Sequence, residues 1–146
     1  MGSEQKRAMV AIVGDEKLRS LLKDFLNEEQ FETQAPPTGR EAFHQLAKRY
    51  FDIILTDYQM PGLGGVDLLP RLKRIQPWAR IIVIPTKRAS RRERKIIESA
   101  ADVCLEKPFP IERLKMALER LLSPGGIDRI EGTEGWKSER LSVEVG

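Results

Sequence analysis

The chain has 146 residues, of which 40% are hydrophobic and 32% charged, a mixture typical of one soluble globular domain. No apolar run approaches the roughly 18 residues needed to cross a bilayer, and the opening letters MGSEQKR contain no apolar secretory signal, so we expect no membrane partner. One cysteine excludes an internal disulfide and fits a cytoplasmic protein, while a net charge of +3 does not by itself indicate nucleic-acid binding.

Short apolar segments alternate with amphipathic segments along most of the chain. The predicted strands are MVAIV (9–13), FETQA (31–35), FDIILT (51–56), RIIVIP (80–85) and DVCLE (102–106). The predicted helices cover 15–29, 39–50, 66–75, 89–101 and 110–122. Buried strands that alternate with helices favour an α/β fold, with a parallel sheet covered on both faces.

The predicted helices bury apolar residues at helical spacing, and Thr38 is predicted to cap the second helix, with Glu41 completing a capping box. Trp78 is expected to pack at the turn before the fourth strand. The apolar positions expected on one face of the first, second and last helices are Leu18, Leu21, Leu22, Phe25 and Leu26; Phe43, Leu46, Ala47 and Tyr50; and Ile111, Leu114, Leu118, Leu121 and Leu122.

The domain is predicted to cover residues 8–122. Residues 123–146 are rich in glycine, serine and charge, and we interpret them as a flexible tail or linker. The alternation of Leu141, Val143 and Val145 leaves a short terminal strand as an alternative, and Trp136 docks either on the domain or on a partner.

Polar side chains follow four of the predicted strands. Asp15, Asp57, Thr86 and Lys107 come after the first, third, fourth and fifth strands. The carboxyl ends of parallel strands meet at one edge of a sheet, where ligands bind in open α/β folds. Neighbouring carboxylates repel unless a cation joins them, and Mg²⁺ uses one or two carboxylates together with phosphate and water. Taken singly, each residue is more often a turn or cap residue, so the prediction depends on the four together.

Lysine and hydroxyl groups suit the oxygens of a phosphoryl group, and a carboxylate is a suitable nucleophile. The four positions therefore predict phosphoryl transfer with the Asp57 carboxylate as the nucleophile. The loop after Asp57 contains Pro-Gly and Gly-Gly, which we interpret as allowing the backbone to approach a metal or phosphate closely.

Four segments resemble the receiver domain of two-component response regulators, and the resemblance extends over about residues 8–122. The matching segments are AIVGDE, DIILTDYQMPGLGGVDLL, IIVIPT and ADVCLEKPF. The resemblance implies a flavodoxin-like, doubly wound (βα)5 sheet of strand order 2-1-3-4-5.

The resemblance also implies a role for each site residue. Asp57 would accept a phosphoryl group from a histidine kinase or phosphotransfer protein, and Asp15, Asp57 and the backbone carbonyl of Gln59 would hold Mg²⁺. Lys107 would pair with the phosphoryl group, and the peptide bond after it is expected to be cis. Thr86 would shift to the phosphoryl group and change the surface of the fourth helix, fifth strand and fifth helix, which binds an output partner or a second copy. Such a protein is a signalling phosphoacceptor that assists its own phosphorylation and dephosphorylation, and not a turnover enzyme.

Three positions depart from the family pattern. Gly14 stands where the family has a second acid, Lys87 where a small residue follows the switch hydroxyl, and Cys104 where an aromatic residue is usual. These departures support an alternative, a phosphate-independent interaction module on the same fold. A further alternative is the receiver part of a longer transcriptional regulator.

The run KRASRRERK, residues 87–95, carries most of the basic charge of the fourth predicted helix. It favours either an acidic partner or dimer surface, or an ordinary solvated helix face. We expect no direct nucleic-acid contact by this domain, because no recognition helix follows. His44 is expected to be an ordinary surface or half-buried side chain, far from the strand ends, and Cys104 a small buried apolar residue.

Overall fold

The structure is a computed structural model, and it describes residues 7–59 and 64–123. Within these ranges no helix is long and apolar enough to cross a membrane. The predictions for the terminal strand and for Trp136 fall outside the described residues.

Five strands and five α-helices alternate along the chain, as predicted. The strands are β1 (Met9–Val13), β2 (Glu32–Gln34), β3 (Ile53–Thr56), β4 (Arg80–Val83) and β5 (Val103–Cys104). The helices are α1 (Glu16–Glu28), α2 (Gly39–Lys48), α3 (Leu68–Ile75), α4 (Arg91–Ala100) and α5 (Ile111–Leu122). A short 3-10 turn, Gly65–Asp67, leads into α3.

The five strands form one parallel sheet of order β2-β1-β3-β4-β5, which confirms the predicted flavodoxin-like topology. Val13 pairs with Thr56, and Thr56 pairs in turn with Val83, so the last residues of β1, β3 and β4 lie in one row. Every residue of β3 is buried, because helices cover both faces of the centre of a parallel sheet. This row fixes the edge of the sheet from which the functional residues emerge.

The helix ends follow the predicted caps in part. The Thr38 hydroxyl accepts a hydrogen bond from the Glu41 N–H at 3.1 Å, so the predicted cap of α2 is confirmed. A reciprocal capping box is present at α4, where Ser90 and Glu93 each accept from the other's backbone N–H. Asp15 caps α1.

Several large apolar residues that were predicted to be buried are exposed. Leu21 is 63% exposed, and Tyr50 lies beyond the end of α2 and is also exposed. Trp78 packs at the turn before β4, as predicted, with its ring edge-on against Tyr50 at 6.3 Å, although it is 78% exposed. Ala47, Ile111 and Leu122 are also exposed. The predicted faces were too wide, because each helix contacts the sheet through a narrower stripe, such as Leu18, Leu22 and Leu26 in α1.

Candidate functional site

The loops after β1, β3, β4 and β5 emerge side by side at the carboxyl edge of the sheet. Backbone hydrogen bonds continue past the strand ends: the Asp57 N–H donates to the Val13 carbonyl at 3.0 Å, and the Ile84 N–H donates to the Thr56 carbonyl at 2.9 Å. The Leu105 N–H donates to the Val83 carbonyl at 2.8 Å. Asp15, Thr86 and Lys107 each follow one of these bonded positions by two residues. The sheet therefore places the four predicted residues in adjacent loops.

Asp57 is the buried carboxylate of this edge, with 3% of its surface exposed. Its Oδ1 accepts a hydrogen bond from the Gln59 N–H at 2.9 Å, and its Oδ2 accepts one from the Thr86 hydroxyl. Burial of an anion is costly unless donors compensate it, and these two donors supply that compensation. Asp57 and Thr86 thus meet directly, as their positions after β3 and β4 predicted.

Asp15 has a structural task in addition to its predicted one. Its Oδ1 accepts a hydrogen bond from the Leu18 N–H at 2.8 Å and so caps α1. Its side chain is otherwise exposed at the start of the helix, and the Arg19 Nε donates to the neighbouring Gly14 carbonyl at 3.1 Å. One carboxylate oxygen of Asp15 is engaged by the cap, which leaves Oδ2 for other ligands.

Lys107 lies in the loop after β5 with its side chain exposed. The Lys107–Pro108 peptide bond is cis, as the resemblance implied. Over residues 7–59 and 64–123, the structure records no hydrogen bond or ion pair between Lys107 and Asp57. The structure thus brings Asp57 and Thr86 into contact, while Lys107 is exposed in the loop after β5.

The oxygen atoms at this edge suit a Mg²⁺ ion that is held by few protein ligands. Asp57, Asp15 and the backbone of Gln59 offer hard oxygen ligands, and Mg²⁺ keeps several waters when only one or two carboxylates bind it. Among the described residues, no cluster of three or more Asp, Glu, His or Cys side chains suited to a metal is present. Gly14 adds no carboxylate, and a Cβ placed there would lie 2.6 Å from the Leu18 Cδ2. The Leu18 side chain would therefore have to move before a side chain could be placed at position 14.

Two glycines of the loop after Asp57 have a backbone conformation that favours glycine. Gly64 and Gly65 have φ values of +88° and +71°, a left-handed conformation that glycine adopts without strain. A Cβ on Gly65 would meet nothing within 4 Å, and one on Gly64 would meet the Arg71 Nη1 at 3.7 Å. The backbone conformation accounts for glycine at these two positions, and the close approach to a metal or phosphate stays a prediction.

Two side chains of this site were not predicted, Tyr58 and the amide of Gln59. Tyr58 is 1% exposed, and its hydroxyl donates to the Glu93 Oε1 on α4 at 3.1 Å. The Gln59 Nε2 donates to the Lys87 carbonyl at 3.1 Å, and the Gln59 Oε1 accepts from the Lys87 N–H at 2.7 Å. Burial, with the nearby Glu93 charge adding to it, raises the pKa of Tyr58. No local pattern points to these contacts, because the partners are about thirty residues away in the sequence.

Comparison with known proteins identifies the family. A family model described as the response regulator receiver domain matches residues 10–119. The chain is 31% identical over 120 residues to the chemotaxis protein CheY-3 of Vibrio cholerae, covering 80% of this chain and 92% of that protein. The chain therefore belongs to the receiver domain family of two-component response regulators.

Two further relatives extend the comparison. The sensor histidine kinase RcsC of Escherichia coli is 27% identical over 117 residues, which cover 80% of this chain but 12% of that protein, so the chain spans about an eighth of this relative. The response regulator TrrA of Thermotoga maritima, solved with Mg²⁺ and BeF, superposes with a TM-score of 0.68 at 28% identity, covering 79% of this chain and 99% of that chain.

Proposed function

We propose that this protein is a phosphoacceptor receiver in which Asp57 takes a phosphoryl group from a phosphohistidine. The observation that carries the proposal is the Asp57 carboxylate, buried at the carboxyl edge of the sheet with the Thr86 hydroxyl donating to its Oδ2. An Asp57 oxygen forms the new bond to phosphorus as the phosphorus–nitrogen bond of the donor breaks, and the imidazole leaves with the electron pair. The protein then signals by its state and not by turnover.

Asp57, Asp15 and the Gln59 backbone carbonyl are the residues that would hold Mg²⁺. A bound Mg²⁺ supplies positive charge that offsets the repulsion between the carboxylates and the incoming phosphoryl oxygens. The Thr86 hydroxyl already lies within hydrogen-bonding reach of Asp57, so a small movement transfers it to a phosphoryl oxygen. Lys107, exposed in the loop after β5, provides the second cation for that group.

The partners follow from the same assignment. The donor is a histidine kinase or a phosphotransfer protein; TrrA, the relative described above, has also been solved in complex with the histidine kinase ThkA. The output surface is α4–β5–α5, and it carries exposed arginine and lysine side chains on α4 that favour an acidic partner or a second copy. Residues 8–122 form the receiver and 123–146 a tail or linker, with the domain acting in the cytoplasm.

The test is the intact mass of the protein after incubation with a small-molecule phosphodonor, with and without Mg²⁺. We expect a Mg²⁺-dependent gain of one phosphoryl group that Asp57→Ala abolishes. Asp24→Ala, which removes an exposed carboxylate of α1, is the matched control and should gain the group like the wild type. A wild-type protein that gains no mass from the small donor or from a phosphorylated kinase would refute the proposal.

A second candidate is a phosphate-independent interaction module. The observation that favours it is the engagement of the acids within the fold: both Asp57 oxygens accept hydrogen bonds, and one oxygen of Asp15 caps α1. In this case Asp57 is a structural anion, and partner binding is the same with and without a phosphodonor. The mass measurement separates the two functions, since only the first predicts the added group.

A further inference from the structure

Tyr58 links the acceptor loop to the first turn of α4. It directly follows Asp57, is the largest fully buried side chain among the described residues, and crosses to α4, where its hydroxyl donates to the Glu93 Oε1 at 3.1 Å. The same hydroxyl accepts a hydrogen bond from the Gln59 Nε2 at 3.1 Å. Both hydrogen-bonding capacities of the phenol are therefore used between these two elements.

The acceptor atom on α4 is also the one that caps the helix. The Glu93 Oε1 accepts from the Ser90 N–H at 3.0 Å, and the Ser90 Oγ accepts from the Glu93 N–H at 3.1 Å. Tyr58 thus donates to an oxygen of the capping box itself. The Tyr58 hydroxyl and the Ser90 N–H donate to the same carboxylate oxygen. Loss or movement of the Tyr58 hydrogen bond therefore alters the acceptor of the Ser90 N–H.

At its other end the contact chain reaches the Asp57 carboxylate. The Gln59 N–H donates to the Asp57 Oδ1 at 2.9 Å, and the Gln59 amide holds both the Tyr58 hydroxyl and the Lys87 backbone. The Thr86 hydroxyl, next to Lys87, donates to the other Asp57 oxygen. Any change that removes an acceptor at Asp57 therefore disturbs both donors, and through them the amide that holds Tyr58.

We propose that Tyr58 is the positioning residue that couples the state of the Asp57 carboxylate to the capping box of α4. An added phosphoryl group turns an Asp57 oxygen into an ester-like oxygen, a weaker acceptor, and the Gln59 and Thr86 donors rearrange. The Tyr58 hydroxyl then loosens from Glu93, and the first turn of α4 opens. The phosphorylation step rests on the proposed function, whereas the coupling itself can be measured without it.

The first experiment is a double-mutant cycle of Asp57→Asn and Tyr58→Phe on the full chain. An asparagine has an oxygen at one of the two carboxylate positions and an amide donor at the other, so it cannot accept at both positions, to which the Gln59 N–H and the Thr86 hydroxyl donate. Amide hydrogen exchange at Ser90 and Glu93 is measured by NMR. We expect Asp57→Asn to raise this exchange by about twofold or more with Tyr58 present, which is the low end of the coupling expected between residues of one hydrogen-bond network. In the Tyr58→Phe background Asp57→Asn should leave the exchange unchanged.

Tyr50→Phe is the matched control, because Tyr50 is the other of the two tyrosines in the chain. It is 72% exposed and packs on Trp78, away from the site. In its background the response of α4 to Asp57→Asn should be complete. An equal response in the Tyr58→Phe background would overturn the coupling.

A second measurement needs no variant at Tyr58. With tyrosine labelled at the ring carbon that bears the hydroxyl, the chain gives two signals, and Tyr50→Phe assigns them. We expect the Tyr58 signal to shift with Asp57→Asn and with Mg²⁺ plus a phosphodonor, while Tyr50 stays in place. If the Tyr58 signal does not shift with Asp57→Asn, the inference is overturned. This result can be read even if Tyr58→Phe itself frays α4. If the mass shows no added phosphoryl group but the Asp57→Asn shift is present, the proposed function fails and the coupling stands.

Discussion

Replacement of Gln76 by alanine is expected to destabilise the fold at the edge opposite the acceptor site. Gln76 is 2% exposed at the end of α3. Its Oε1 accepts from the Phe51 N–H at 3.0 Å, and its Nε2 donates to the Leu46 carbonyl at 2.8 Å and to the Arg49 carbonyl at 2.7 Å. One side chain thereby joins the end of α2, the start of β3 and the end of α3.

The magnitude follows from the groups that lose a partner. The Phe51 N–H is buried, and an unpaired buried donor costs about 1–3 kcal/mol. The Leu46 carbonyl belongs to the last turn of α2, where carbonyls have no partner within the helix. Its hydrogen bond to Gln76 is buried, and the bond to the Arg49 carbonyl is partly buried. Adding roughly 0.5 kcal/mol for each carbonyl gives a loss of about 2–4 kcal/mol in the free energy of unfolding. That is a large part of a typical total of about 5–15 kcal/mol.

Urea denaturation followed by far-UV circular dichroism measures this loss. Gln76→Glu keeps the shape and the acceptor for the Phe51 N–H but removes both donated hydrogen bonds, so near neutral pH it should destabilise at least as much as alanine. A loss below about 1 kcal/mol for Gln76→Ala would refute the reasoning, because it would mean that the three backbone groups find other partners.

Two further predictions concern the acceptor edge. Gly14→Asp is expected to tighten Mg²⁺ binding by about tenfold, once the Leu18 side chain rotates away from position 14. Calorimetry measures the affinity, with Gly14→Asn as the uncharged control. Equal Mg²⁺ affinity in the two variants would contradict the prediction. Burial and the Glu93 charge raise the pKa of Tyr58 above its ordinary value of 10.0, so the unfolded chain releases this proton at a lower pH than the folded protein. The free energy of unfolding should therefore fall above pH 10.0 by up to about 1.4 kcal/mol per pH unit from this residue, and Tyr58→Phe should remove that share; identical slopes in both proteins would rule it out.

The order and type of the elements could be predicted from the sequence because they depend on local periodicity. MVAIV, residues 9–13, is apolar throughout, as a strand covered on both faces must be, and β1 has these bounds. Thr38 caps α2 because its hydroxyl reaches an N–H three residues away, which is a contact within one turn. The motifs around Asp57 and Lys107 led to the family, which the match over residues 10–119 then confirmed.

The exposed apolar residues show that local sequence patterns are not sufficient to predict which side chains are buried. Leu21 and Ile111 carry apolar side chains at positions that fit a buried helix face, yet both are exposed. Whether such a position is buried depends on the angle at which the element meets the sheet, and neither periodicity nor composition contains that angle. The same holds for the side chain of Asp15, whose carboxylate could be assigned to the sheet edge but not to the cap of α1.

The sequence by itself determined the alternation of strands and helices, the family, and which residues follow the strand ends. The tertiary structure alone decided which side chains meet across that edge. Tyr58 and Glu93 are 35 residues apart, Gln59 and Lys87 are 28 apart, and Gln76 and Phe51 are 25 apart. A hydrogen bond requires its donor and acceptor to lie within about 3 Å at a defined angle, and only the packing of the helices on the sheet sets that distance.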